Sequence, residues 1–118
     1  MKQKTLADLA QLVLKFREDR DWKQFHNPKD MALSLVLEAG EFLELTQWKN
    51  GKELNDYLAA NKQRAGEELS DVLGWLLLLA SDLGIDLADA FEKKIEMNSR
   101  KYPIDKARGS AKKYTEYQ

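Results

Sequence analysis

The 118-residue chain has no cysteine, two prolines and a single histidine. Without cysteine there can be no disulfide scaffold, thiolate nucleophile or thiolate metal site, and a reducing cytoplasmic setting is expected. One histidine, His26, is too few for a di-iron bundle, which wants Glu-x-x-His on two helices. There is no Ser/His/Asp arrangement, P-loop or G-x-G-x-x-G. Long apolar runs are missing too. The longest, Trp75 to Ala80, falls far short of the roughly 20 residues that span a bilayer. The start MKQKTLADLAQ is polar and helix-patterned, so no leader segment and no membrane partner are expected.

What is present is helical pattern. Leu6, Leu9, Val13 and Phe16 recur at helical spacing and predict a first helix over residues 5–20. An aromatic-rich connection, DWKQFHN, follows. Asn27-Pro28-Lys29-Asp30 is a helix start, with Asn as N-cap and Pro at the first helical position. The second helix is expected to reach Trp48 and to stop at Asn50-Gly51. Residues 52–60 read as either loop or short helix. A third helix is expected over residues 61–83, closed by Gly84. A fourth, capped by Asp86, runs to Lys101 before Pro103. The reading is an all-α, four-helix bundle spanning residues 1–103, with a basic tail over 104–118.

The charge is nearly balanced overall but unevenly placed. Residues 38–71 carry eight acidic and four basic side chains, whereas residues 93–113 carry eight basic and two acidic ones. A site that handles a cation together with a polyphosphate needs both signs; a solvated face and a basic tail need neither.

The acidic residues sit in unusual company. In SLVLEAGEFLELTQW, Glu38 and Glu41 lie about 60° apart on one helical stripe, which Leu45 and Trp48 continue. Glu68 and Asp71 repeat the spacing on the third helix, with Trp75 one turn beyond. A lone E-x-x-E pair usually marks a solvated face. Four carboxylates on two apolar helices repel one another, so some are protonated or a cation sits between them. An all-oxygen set suits Mg²⁺ or Mn²⁺ over Zn²⁺. Glu44 and Glu67 fall further round the helices.

Glu38-Ala-Gly-Glu41 followed by Glu68-Leu-Ser-Asp71, within LVLEAGEFLEL and EELSDVLGWLLLLA, resembles the signature of the MazG-like nucleotide pyrophosphohydrolases, an all-α family. RDWKQFHNP, the QWK after the second helix, and KIEMNSRKYP with a later KKYTE resemble its dCTP-pyrophosphatase-like branch. The resemblance implies hydrolysis of a nucleoside triphosphate to the monophosphate and pyrophosphate. It makes Glu38, Glu41, Glu68 and Asp71 the catalytic carboxylates and the Mg²⁺ ligands. It also implies a base pocket formed by Trp22, Phe25 and His26 and walled by Trp48 and Trp75, with Lys94 and Asn98 facing the phosphates. Trp75 stands where several relatives have Tyr, and Val13 where some carry a polar residue. Both differences bear on base choice rather than on metal chemistry.

The second and third helices are apolar on nearly every side, more than one bundle core can cover, and family members form dimers often paired into tetramers. A homodimer or homotetramer assembled through these helices is therefore expected. Nucleic acid is not an expected partner, because no recognition motif accompanies the basic tail. Two other readings stand beside the leading one. They are a phosphoribosyl-ATP-type pyrophosphohydrolase and a non-catalytic helical interaction module.

Overall fold

A computed structural model describes residues 3–118; the first two residues of the polar N-terminal start lie outside that range. Its helices are α1 (Leu6–Asp19), α2 (Pro28–Thr46), α3 (Gly51–Ala60), α4 (Lys62–Asp82), α5 (Leu87–Lys101) and α6 (Ile104–Ala107). Single 3₁₀ turns cover Lys23–Phe25 and Tyr114–Glu116. No strand occurs among the described residues, so the all-helical class read from the sequence is the one the chain adopts. None of these helices is long and apolar enough to cross a membrane.

The helix starts follow from side chains that satisfy the free backbone N–H groups of a first turn. Thr5 Oγ1 accepts from the Asp8 amide at 3.1 Å, and Asp8 Oδ2 accepts from the Thr5 amide at 2.9 Å, a reciprocal capping box. Asn27 Oδ1 accepts from the Asp30 amide at 2.9 Å ahead of Pro28. Asp86 Oδ1 accepts from the Asp89 amide at 3.1 Å. α4 ends at Gly84, whose φ of 68° lets the Ile85 amide return to the Ala80 carbonyl at 2.9 Å and the Gly84 amide to Ser81 at 3.1 Å. That is the Schellman closure, which needs a left-handed residue after the helix.

Two sequence expectations change. α2 stops at Thr46, because Gln47 leaves the helical conformation with a ψ of 134° and Trp48 after it takes a left-handed φ of 69°. Trp48 therefore does not continue the stripe of Glu38, Glu41 and Leu45. Asn50 and Gly51 do not end α2 but begin α3, with Asn50 in extended conformation at its N-cap. The ambiguous stretch 52–60 is thus a helix, and with the four-residue α6 the count among the described residues rises from four to six.

Internal contacts divide the chain into two units, Met1–Ile85 and Asp86–Gln118. In the first, α2 and α4 make the most extensive packing, α1 lies against α4, and α3 touches both α2 and α4. Its core is Met31, 1% exposed, with Leu45, Leu77, Leu78 and Ala80. In the second, the Tyr102 ring meets Tyr114 and Tyr117 edge-on, with centroids 5.7 and 5.9 Å away.

Candidate functional site

Because α2 and α4 pack face to face, Glu38 and Glu41, one turn apart on α2, converge with Glu68 of α4. Carboxylate oxygens of Glu38, Glu41 and Glu68 all lie within 4.8 Å of one another. Glu38 and Glu68 are half-buried and Glu41 is exposed. Glu38 Oε2 and Glu68 Oε2 are buried without a hydrogen-bond partner among the described residues. Two ionised oxygens left in that state are costly unless a cation or a proton accompanies them.

The electrostatics agree. Burial first, then a hydrogen bond and charge shared with Glu41, then the charges of Asp71 and Glu68, push the Glu38 carboxyl above its ordinary value. Glu68 is pushed up chiefly by its hydrogen bond with Glu41, then by burial and by the charges of Glu41 and Asp71, while Arg64 opposes the shift. The donor set is oxygen-only, crowded and unsatisfied, which fits a hard divalent cation. Asp71 stands outside the tight trio but close enough for its charge to act on both glutamates.

Asp71 also borders a cavity of about 450 Å³ between α1 and α4. Leu9, Leu12, Val13 and Phe16 of α1 line one side; Leu73, Gly74, Trp75, Leu77 and Leu78 of α4 line the other. Trp22, His26, Arg17 and Ser70 complete the lining. A Cβ added at Gly74 would meet only Val13 Cγ2, at 3.9 Å, so small residues on both helices keep this space open. The His26 and Trp75 rings meet edge-to-face with centroids 5.1 Å apart. The aromatic connection is fixed in turn: Trp22 packs edge-on against Phe16 at 5.7 Å, and its amide bonds the Arg17 carbonyl at 3.1 Å.

Of the residues singled out in the sequence, Trp22, His26 and Trp75 share the cavity, whose rim is Asp71. Phe25 and Trp48 are not part of its lining; Phe25 is mostly exposed, and Trp48 is 88% exposed. Lys94 and Asn98 lie on α5 in the second unit, Lys94 exposed and Asn98 half-buried.

One polar element was not singled out. Arg17, 4% exposed, donates from Nη1 to Asp82 Oδ2 at 2.8 Å and from Nη2 to Asp82 Oδ1 at 2.7 Å. Nη1 also lies 3.5 Å from His26 Nδ1. The hydrogen bond from Arg17 holds the Asp82 carboxyl below its ordinary value, and the same bond raises Arg17. Burial, then the charge of Arg17, lowers His26, with Asp82 opposing. A sequence signal did exist: Arg17 falls one turn after Val13, and Asp82 one turn after Leu78, on otherwise apolar stripes.

The MazG-like family matches residues 33–117, a span holding all four acidic positions. The dCTP pyrophosphatase 1 of Mus musculus is 45% identical over 114 residues, covering 95% of this chain and 67% of that protein. The Homo sapiens protein of the same name matches to the same extent. The crystal structure of a pyrophosphatase from Archaeoglobus fulgidus shares the fold with a TM-score of 0.80 at 35% identity, covering 87% of this chain and 96% of that one.

Proposed function

Because the chain belongs to the MazG-like family, we propose that it is a nucleoside triphosphate pyrophosphohydrolase, releasing pyrophosphate and the monophosphate, with dCTP or a modified pyrimidine triphosphate as substrate. The observation that carries this reading is the carboxylate trio with two orphaned buried oxygens, set beside a cavity with aromatic walls. Glu38, Glu41 and Glu68, joined by Asp71, would hold Mg²⁺. Mn²⁺ has the same preference for oxygen. A bound divalent cation would neutralise phosphate oxygens and make a water molecule more acidic.

The chain's own residues supply the rest. Water attacks the α-phosphorus, the bond to the bridging oxygen of the β-phosphate breaks, and a carboxylate of the cluster takes the water's proton. The flat base enters the cavity against Trp22 and Trp75, where stacking is worth roughly 1–3 kcal/mol per base. The apolar lining keeps water from the base while Asp71, at the rim, faces the phosphates. Lys94 and Asn98 are assigned to the phosphates and Phe25 and Trp48 to the outer part of the pocket, as the resemblance suggests. The catalytic domain is assigned to residues 1–103, and the cellular role to cleansing a cytoplasmic nucleotide pool.

The test is a pair of isosteric substitutions. Glu41→Gln and Glu68→Gln should each abolish Mg²⁺-dependent pyrophosphate release from dCTP while the helical circular dichroism stays unchanged. Retained turnover in both variants would sink the metal assignment. A wild-type chain that hydrolyses no triphosphate, and that no nucleotide stabilises with Mg²⁺, would favour a binding module instead.

A further inference from the structure

Arg17 lines the cavity and is paired with Asp82, and neither belongs to the carboxylate trio. A buried ion pair is weak evidence for stability, because desolvation offsets most of its attraction. What distinguishes this pair is its third member. Both oxygens of Asp82 are engaged by the guanidinium, which fixes the plane and direction of Arg17. The remaining contact of Nη1 is His26 Nδ1, at the long end of hydrogen-bonding distance. A guanidinium nitrogen can only donate. An N–H on Nδ1 would point a donor at a donor, so Nδ1 must keep its lone pair and Nε2 must carry the proton. Burial and then the cationic neighbour lower the ring below its ordinary value, which favours its neutral form, with Asp82 opposing. Nε2 has no partner among the described residues and is not one of the buried orphaned atoms, so its proton is free for a guest. The ring lines the cavity and is braced edge-on by Trp75.

We propose that Arg17 and Asp82 are positioning residues that lock His26 as a neutral Nε2–H donor, aimed at a hydrogen-bond acceptor on the substrate's base. Cytosine presents such acceptors at N3 and O2. The inference deepens the pyrophosphohydrolase reading and rests on it, but its first test does not need turnover. His26 is the one histidine of the chain, so a long-range ¹H–¹⁵N spectrum of the uniformly labelled protein reports its tautomer without assignment.

The wild-type protein should show the Nε2–H tautomer alone. Asp82→Asn and Arg17→Lys, which remove the bidentate fork in two different ways, should both introduce the Nδ1–H form. In the same variants the KM for dCTP should rise about ten-fold, the loss of one buried hydrogen bond, with kcat within about two-fold because the metal carboxylates are untouched. Asp82→Glu, which keeps the carboxylate, should recover part of the affinity. A wild-type ring protonated on Nδ1, or populating both tautomers, overturns the inference. So does a tautomer shift in the variants with KM unchanged, or a fall in kcat at unchanged KM. If the wild-type protein turns over no triphosphate, the functional reading fails separately, and the spectrum still decides whether Arg17 sets the ring.

Discussion

Glu38 and Glu68 each keep a buried carboxylate oxygen that nothing among the described residues satisfies, and this has an energetic sign. A glutamate whose carboxyl is raised in the folded state binds its proton more tightly there than in the unfolded chain. Its stabilising contribution is full below the ordinary value of 4.5 and is lost as pH rises through the higher folded value. At neutral pH, without a cation, ionised Glu38 therefore weighs against the fold. Glu38→Gln should raise the melting temperature at neutral pH in the presence of a chelator, and the gain should vanish near about pH 4, where both proteins are uncharged at this position. Added Mg²⁺ should stabilise the wild type and leave the variant unmoved. A variant less stable than the wild type in chelator would contradict this account of the cluster. At this scale the acidic site was legible, because four carboxylates on apolar stripes have few explanations. Arg17 was not. It stands in Arg17-Glu18-Asp19-Arg20, a stretch whose look of a solvated patch outweighs its place one turn after Val13, and the placement of α4 against α1 turns this one side chain inward.

Between elements, local signals told where helices start better than where they stop. Asn27-Pro28 and Asp86 could serve only as starts, and both do. Asn50-Gly51 carries residues that suit a helix end as well as a beginning, and the ending of α2 falls instead to Gln47 and to Trp48, the latter in a left-handed conformation that few side chains adopt. No propensity scale favours Trp there, so the sequence pointed past the true boundary. Arg17–Asp82 is the tie between the far ends of α1 and α4, with side chains 5% and 16% exposed. Asp82 is held below its ordinary value of 3.8, first by the hydrogen bond from Arg17. Its contribution is therefore complete above that value and is lost as pH falls through the lower folded one. Removing one partner of such a pair leaves a buried charge alone, so Asp82→Asn should cost about 3–5 kcal/mol at neutral pH. Urea unfolding should show that penalty shrinking as pH falls toward about 2, where the wild type loses the same charge. A penalty of equal size at both pH values would mean that packing, not ionisation, makes the tie.

For the whole molecule, the decisive fact is how much of α2 remains uncovered. Leu33, Val36, Leu37 and Leu43 recur at helical spacing on its outer stripe and are each more than half exposed. Neighbouring Gly40 has nothing within 4 Å of where a Cβ would lie. A continuous apolar stripe of this kind is costly in water and suits a helix of a second copy, since a self-complementary patch closes a two-fold pair. The α2–α3 turn bears on the same point. Trp48 is absent from the lining of its own chain's cavity and stands almost wholly in solvent. If it walls a base pocket, assembly must bring it there. Leu33→Lys, chosen because it lies well before Glu38, should shift the species seen by light scattering from a multiple of 13.6 kDa to 13.6 kDa itself. Helical content should persist, since the packing of α2 on α4 lies on the other side. The dissociated variant should also bind dCTP more weakly, and Trp48→Ala in the assembled wild type should reproduce that loss without changing the mass. A wild-type chain already at 13.6 kDa at micromolar concentration would refute the assembly. A monomeric variant with unaltered KM would instead separate assembly from the pocket and leave Trp48 without a role in binding.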